Sequence, residues 1–286
     1  MAEDLRPITT KNLPDAIRLL NETSRDTSRP YTLDFFGFLS IRRFWNFALG
    51  YSFIRYIDDQ PAAIAINCAD PESREAYTFY WGTLPQFRRA GMSIDFVDAF
   101  CQKFHDDGYT LIYANSLPER PVRRYRFVHY LPLHSIVDMQ GDYSRLPAPD
   151  PAYTIRKIDA SMLTQIALTP GEPLHWSQRP GFVANLGSIV DVLGAFHGDD
   201  LKAYAVVPAR PTVMVSFDLR SPDSCFSAGY ELLRYLAQNY PCPLQAQCIF
   251  KGSFAERLFT DAGFRVTRKY FLIYRDLRAT CARQAS

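Results

Sequence analysis

Between Ser144 and Tyr153 the chain reads SRLPAPDPAY, with three prolines in ten positions and no apolar period. Each proline fixes φ and removes a backbone donor, so the stretch suits neither a helix interior nor a central strand. It reads as an extended connector. A cut there predicts a domain over residues 1–143, a linker over 144–153 and a second domain over 154–286, each of ordinary single-domain size. With 47% hydrophobic and 22% charged residues, the chain has ample apolar surface to bury, which excludes a disordered or fibrous chain.

Each half alternates strand and helix patterns. In the first, Leu5–Thr9 reads as a strand, and 13–21 as a helix capped by Asn12 with a proline just inside. The aromatic stretch 33–49 predicts one or two helices. Tyr51–Ile57 and Ala62–Asn67 read as strands around the turn DDQP. Glu75–Leu84 is an aromatic, β-prone central strand. In Met92–Phe104, Ile94, Val97, Phe100, Cys101 and Phe104 share one helical face, with Gly108 as C-cap. Leu111–Ala114 is a short strand, 121–130 a helix, and 134–140 a closing strand.

The second half follows the same plan: strand 153–158, helix 161–168, strands 203–207 and 213–219, helix 226–239, strand 244–250, helix 254–262 and strand 270–274. The expected class is α/β with a mixed sheet, repeated twice.

The formal net charge of +2 shows no electrostatic footprint for nucleic acid or an anionic membrane. The opening MAEDLRP has no apolar run behind a basic start, and no apolar stretch is long enough to span a bilayer. Six scattered cysteines without a C-x-x-C pair read as reduced thiols, so a cytoplasmic protein is expected. The five histidines lack metal-ligand spacing, and neither a G-x-G-x-x-G nor a Walker A loop occurs.

The segment most suited to chemistry is Trp81-Gly-Thr-Leu-Pro-Gln-Phe-Arg-Arg-Ala-Gly-Met-Ser93, at a strand-to-helix junction. A first helical turn leaves backbone N–H groups without intrahelical partners, and the helix dipole adds positive potential there. Small residues let a diphosphate approach the backbone, and Arg88 and Arg89 add charge-assisted donors. An ordinary surface turn is the competing reading.

Here the chain resembles the GNAT superfamily of acyl-CoA-dependent N-acyltransferases. TLPQFRRAGMS is similar to the family's motif A, with Leu84 directly before the proline and Ser93 in place of the second small residue. Downstream, PVRRYRFVHY (121–130) matches the spacing of a second family feature, with His-Tyr where Gly-Phe is usual. The resemblance implies two such domains in tandem and direct transfer of an acetyl group from acetyl-CoA to a primary amine. It implies a cofactor site at Trp81, Thr83, Leu84, Arg88, Arg89, Ala90, Gly91, Met92, Ser93 and Asn115. Main-chain amides within Trp81–Leu84 would hold the pantetheine arm and polarise the thioester.

Tyr125 stands where many members keep the tyrosine that protonates the leaving thiolate, though a packed aromatic is an equal reading. Glu75 is the carboxylate on the central strand and a candidate base, against a solvated strand end. Arg29, Arg42 and Arg43 could meet an acidic acceptor or simply face solvent.

The second half carries the family's outline without its active parts. Phe259 replaces the tyrosine, Asp223 would repel a diphosphate, and the R-x-x-G-x-small arrangement is missing. It reads as a degenerate GNAT domain. The expected partner is a small-molecule or peptide amine, with no nucleic acid or membrane; an oligomer is compatible with the sequence. An inactive ligand-binding or interaction module is the alternative function.

Overall fold

The structure, a computed structural model, describes residues 3–27, 30–88, 92–117, 122–141, 143–165, 175–209, 215–221, 225–240 and 244–281. In chain order the first elements are β1 (Glu3–Pro7), α1 (Leu13–Ser24), α2 (Phe35–Trp45), β2 (Phe53–Ile57), β3 (Gln60–Asp70), β4 (Glu75–Thr83), α3 (Met92–Asp106), β5 (Leu111–Asn115) and β6 (Leu131–Gly141). Then follow β7 (Tyr153–Ile158), α4 (Pro180–Leu186), β8 (Val190–His197), β9 (Asp200–Pro208), β10 (Val215–Arg220), α5 (Phe226–Asn239), β11 (Leu244–Phe250), α6 (Phe254–Asp261), β12 (Arg265–Asp276) and α7 (Leu277–Cys281).

Local chemistry accounts for the boundaries. Leu13, Ala16, Leu19 and Leu20 recur at helical spacing and are buried, which makes α1 amphipathic. Asn12 does not cap it. Its Oδ1 accepts from the Thr9 N–H at 2.7 Å and its Nδ2 donates to the Pro7 carbonyl, closing the preceding loop instead. Asp34 does cap α2, accepting from the Gly37 N–H at 2.7 Å. The β2–β3 hairpin turns on Asp58 and Asp59, both at positive φ (47° and 58°), the backbone that a tight two-residue turn with matching twist demands. Two expected helices, 121–130 and 161–168, are short 3-10 turns over Val122–Val128 and Ala160–Gln165, with 166–168 outside the described residues. Strand β8 had no counterpart in the sequence reading.

The chain divides into two compact units, Met1–His134 with Tyr270–Ser286, and Ser135–Lys269. This differs from a cut at 144–153. In the first unit the strand order is β1-β2-β3-β4-β5-β12, antiparallel except for the parallel β4–β5 pair. In the second it is β7-β8-β9-β10-β11-β6, with β10–β11 parallel. Each unit therefore has the same six-strand plan. The strand expected to close the first, β6, instead pairs from Ile136 onward with β11, and the first is closed by the chain's last strand, with Leu272 opposite Asn115. The proline-rich segment packs on the second unit, where Arg145 N–H donates to the Ala262 carbonyl. Prolines mark where the backbone leaves a ladder; they do not mark where a core ends.

In the first unit, Phe96, Phe100 and Phe104 of α3 are fully enclosed against Ala76, Ile112, Ala114 and Ile273. Each such ring contributes about 1.5–3 kcal/mol, which fixes α3 on the sheet. In the second unit α5 and α6 bury Leu232, Leu233, Leu236, Leu258 and Phe259.

Candidate active site

The parallel β4–β5 ladder begins at Glu75↔Leu111 and ends at Thr78↔Ala114, whereas β4 continues along β3 to Thr83. The strands part at that point. The β3–β4 register also shifts there: Ile66 faces Tyr80 and Asn67 faces Thr78, so Phe79 is an extra residue on β4. Such a bulge bends the strand and re-aims its side chains. Phe79 and Tyr80 accordingly both pack on Tyr31, with ring centroids 5.8 and 5.9 Å away.

Beyond the bulge the backbone alternates again. Leu84 N–H donates to the Ala62 carbonyl at 2.9 Å, so Gly82 and Leu84 turn their main chain toward β3. By the alternation of an antiparallel pair, Trp81 and Thr83 turn theirs toward the side that β5 has left. No strand among the described residues pairs with that edge past Thr78. This corrects the expected amide span: Leu84 is buried and its N–H is used in the ladder, while Trp81 and Thr83 face the opening.

The split leads to the turn before α3. Arg88 Nε donates to the Thr83 carbonyl at 2.8 Å, which draws its guanidinium against the open edge. Arg89, Ala90 and Gly91 lie outside the described residues, as do Arg29 and Asp223. Met92 and Ser93 form the first turn of α3, where N–H groups have no intrahelical partners. The Met92 side chain is buried with Ile57 and Ala62, so only its main chain serves a ligand. Arg55 was missed by sequence reasoning. It is buried on β2, and its Nη1 donates to the Met92 carbonyl at 3.2 Å, adding positive charge where α3 begins. An arginine inside the otherwise apolar strand FIRYI was the available signal.

Tyr125 is buried at the mouth of the split. Its ring meets Trp81 edge-on at 5.9 Å, and its hydroxyl accepts the Leu117 N–H at 2.7 Å. That bond uses an oxygen lone pair and not the phenolic proton. Tyr130 stacks on Trp81 at 5.8 Å, and burial raises its phenol well above the usual range. Asn115 ends β5, one residue past the last position paired with β4, and is itself paired with Leu272 of β12.

Glu75 is not brought to this group. It sits at the closed end of the ladder, four strand residues before the bulge, about 13 Å at the usual rise. Its Oε1 accepts the Tyr113 hydroxyl at 3.0 Å. Arg42 and Arg43 are exposed on α2. In the second unit Phe259 is fully buried against Phe264. Among the described residues, no group of His, Cys, Asp and Glu is arranged to hold a metal ion, and no helix is long and apolar enough to cross a membrane.

No family model and no curated protein matches the sequence. Solved structures do. The chain is similar to a tandem GNAT protein from the clavulanic acid biosynthesis pathway, at TM-score 0.68 and 11% identity, over 96% of this chain and 99% of that one. The fold is a tandem GNAT fold. A GCN5-related N-acetyltransferase from Sphaerobacter thermophilus aligns over 96% of both chains at TM-score 0.66 and 14% identity. One from Anabaena variabilis aligns at TM-score 0.67 and 10% identity, over 96% of this chain and 73% of that one. Identity this low carries the fold, so the chemistry has to come from the site.

Proposed function

We propose that the chain is an N-acetyltransferase that moves an acetyl group from acetyl-CoA to a primary amine within the first unit. The observation that carries this reading is the parting of β4 from β5 at Thr78, which turns the Trp81 and Thr83 main chain toward the gap. The residues fit the cofactor's chemistry. Trp81 offers an N–H and a carbonyl to the amides of a pantetheine arm, while Arg88, Arg55 and the first turn of α3 suit a diphosphate. When bound, acetyl-CoA supplies an activated acyl carbon and a thiolate leaving group.

The chain's own groups account for the rest. A main-chain N–H on the open edge stabilises charge on the carbonyl oxygen as the amine attacks. The new N–C bond forms as the C–S bond breaks. Tyr125 gives its phenolic proton to the departing sulfur and regains one from solvent, and its fixed hydrogen bond to Leu117 N–H holds the oxygen in place. The ammonium's protons leave through water, since Glu75 is too far along β4 to accept them. The second unit keeps the fold as a degenerate copy. The reading needs neither nucleic acid nor membrane and suits the cytoplasm, where thiols stay reduced.

Calorimetry of the full chain with acetyl-CoA tests it. Binding is expected, and Gly91→Trp or Arg88→Glu with Arg89→Glu should abolish it. No heat at millimolar acetyl-CoA would overturn the assignment. Binding without thiol release across an amine panel would favour an inactive ligand-binding module.

A further inference from the structure

Strand β5 is asymmetric. Ile112, Ala114 and Ser116 are buried on the α3 side, whereas Leu111, Tyr113, Asn115 and Leu117 on the other face are only half-buried. A strand flanked by β4 and β12 is expected to be covered on both faces unless something else is to lie there. Register identifies the floor of this face. Tyr77, Tyr113 and Tyr274 stand opposite one another on β4, β5 and β12, forming a continuous tyrosine row. Trp45 of α2 stacks flat over Tyr77 at 6.0 Å and 9°, walling one end.

The row ends one position short of Thr78↔Ala114, the last pair before the split, and the Phe79 ring beyond it packs on Trp45 and Phe47. On its other side lies Glu75, with its carboxylate held over the row by the Tyr113 hydroxyl at 3.0 Å. Asp276 shares the Glu75 row, but its Oδ1 accepts the Ala279 N–H at 3.1 Å and caps α7.

We propose that this face binds the acceptor of the transfer reaction, and that the acceptor is an aliphatic diamine or polyamine. One nitrogen lies at the split, the methylene chain lies across Tyr113, and Glu75 holds the second ammonium. Charge complementarity and continuity with the split both point to this occupant. Tyrosine faces attract alkylammonium chains, and a half-buried carboxylate pairs with a cation. From Glu75 to the Thr78–Phe79 end is about 10–13 Å of strand, a span that extended octane-1,8-diamine covers. An acidic acceptor would meet Glu75 as a like charge. The inference rests on the transferase reading for the reacting end only; the binding face is independent of it.

The test therefore has two arms on the full chain. In the first, octane-1,8-diamine and octylamine are titrated calorimetrically without acyl-CoA. The diamine should bind at least about tenfold more tightly, and Glu75→Gln should remove that difference. Tyr113→Phe, which keeps the ring and removes the hydroxyl that holds the Glu75 carboxylate, should weaken the diamine less. In the second arm, thiol release from acetyl-CoA is followed with diamines of three to eight carbons and matched monoamines. The kcat/KM ratio of diamine to monoamine should rise with length in the unaltered chain and lose that dependence on length in Glu75→Gln. Equal binding of diamine and monoamine, or a preference untouched by Glu75→Gln, overturns the proposal even if acetyl transfer occurs. Diamine binding that depends on Glu75, in a chain that binds no acetyl-CoA, upholds the face and overturns the transferase reading instead.

Discussion

The guanidinium of Arg275 is fully enclosed in the first unit, at 0% exposure. Nη1 donates to Asp98 Oδ1 at 2.5 Å and to the Val128 carbonyl at 3.3 Å, and Nε donates to Thr280 Oγ1 at 3.1 Å. Asp98 lies on α3 and its side chain is 17% exposed, so the pair joins the last strand of the chain to the helix that begins at the candidate diphosphate turn. The two partners should not be equivalent. Asp98→Ala strands a positive charge that cannot reach water, at a cost of about 3–5 kcal/mol. Arg275→Met leaves a carboxylate that can still be hydrated and forfeits two further hydrogen bonds, at a cost of about 1–3 kcal/mol.

Urea unfolding followed by tryptophan fluorescence reads this directly. Trp45 and Trp81 belong to the first unit, and a Trp176→Phe background silences the second. The destabilisation should appear in the first unit's transition, with the double variant close to Arg275→Met alone. A cost below about 1 kcal/mol for Asp98→Ala, or the reverse ranking, would refute the reasoning about a stranded charge.

Tyr125→Phe should lower the rate of thiol release about a hundredfold with little change in acetyl-CoA affinity, and an unchanged rate would reduce Tyr125 to a packing role. The same variant leaves Leu117 N–H without its acceptor, so unfolding measurements should register a loss of about 1–2 kcal/mol. Gly141→Ala puts a Cβ 2.4 Å from the Phe264 ring and 2.8 Å from its Cα, and since backbone cannot swing aside, calorimetric unfolding of the second unit should show a loss of about 1–3 kcal/mol. Burial, aided by the Asp107 carboxylate, pushes the Tyr51 phenol up to about 12. A raised folded pKa favours the protonated fold, so this contribution is complete below the ordinary tyrosine value of about 10 and is lost as pH rises toward 12. Tyr51→Phe should flatten the stability profile in that window, and an unchanged slope would show that the phenol ionises equally in both states.

Much of this organisation is legible in the residues. The spacing of Leu13, Ala16, Leu19 and Leu20, and of Phe96, Phe100 and Phe104, forces one apolar helical face each. The Leu-Pro step and the arginine–glycine turn mark the junction ahead of α3. Asn12 shows the limit at short range: a residue with capping chemistry closes a loop because Pro7 and Thr9 offer it better partners. Glu75 shows the limit at long range. Its place on the central strand was evident, but its distance from the split depends on where the β4–β5 ladder ends, and ladders are made between segments far apart in sequence.

Side-chain periodicity thus determined most of the strands and helices and that one plan occurs twice, because these follow from side chains within a turn or two of each other. Partner choice was settled only in three dimensions. β6 could have closed the first unit as its position implied, yet it pairs with β11, while the last strand returns to β5 with Arg275 placed for Asp98. The same tertiary register decided the bulge at Phe79, the orientation of the Trp81 main chain and the tyrosine row. A backbone hydrogen bond carries no side-chain signature, so which edge it joins emerges only when the cores on both of its faces are packed.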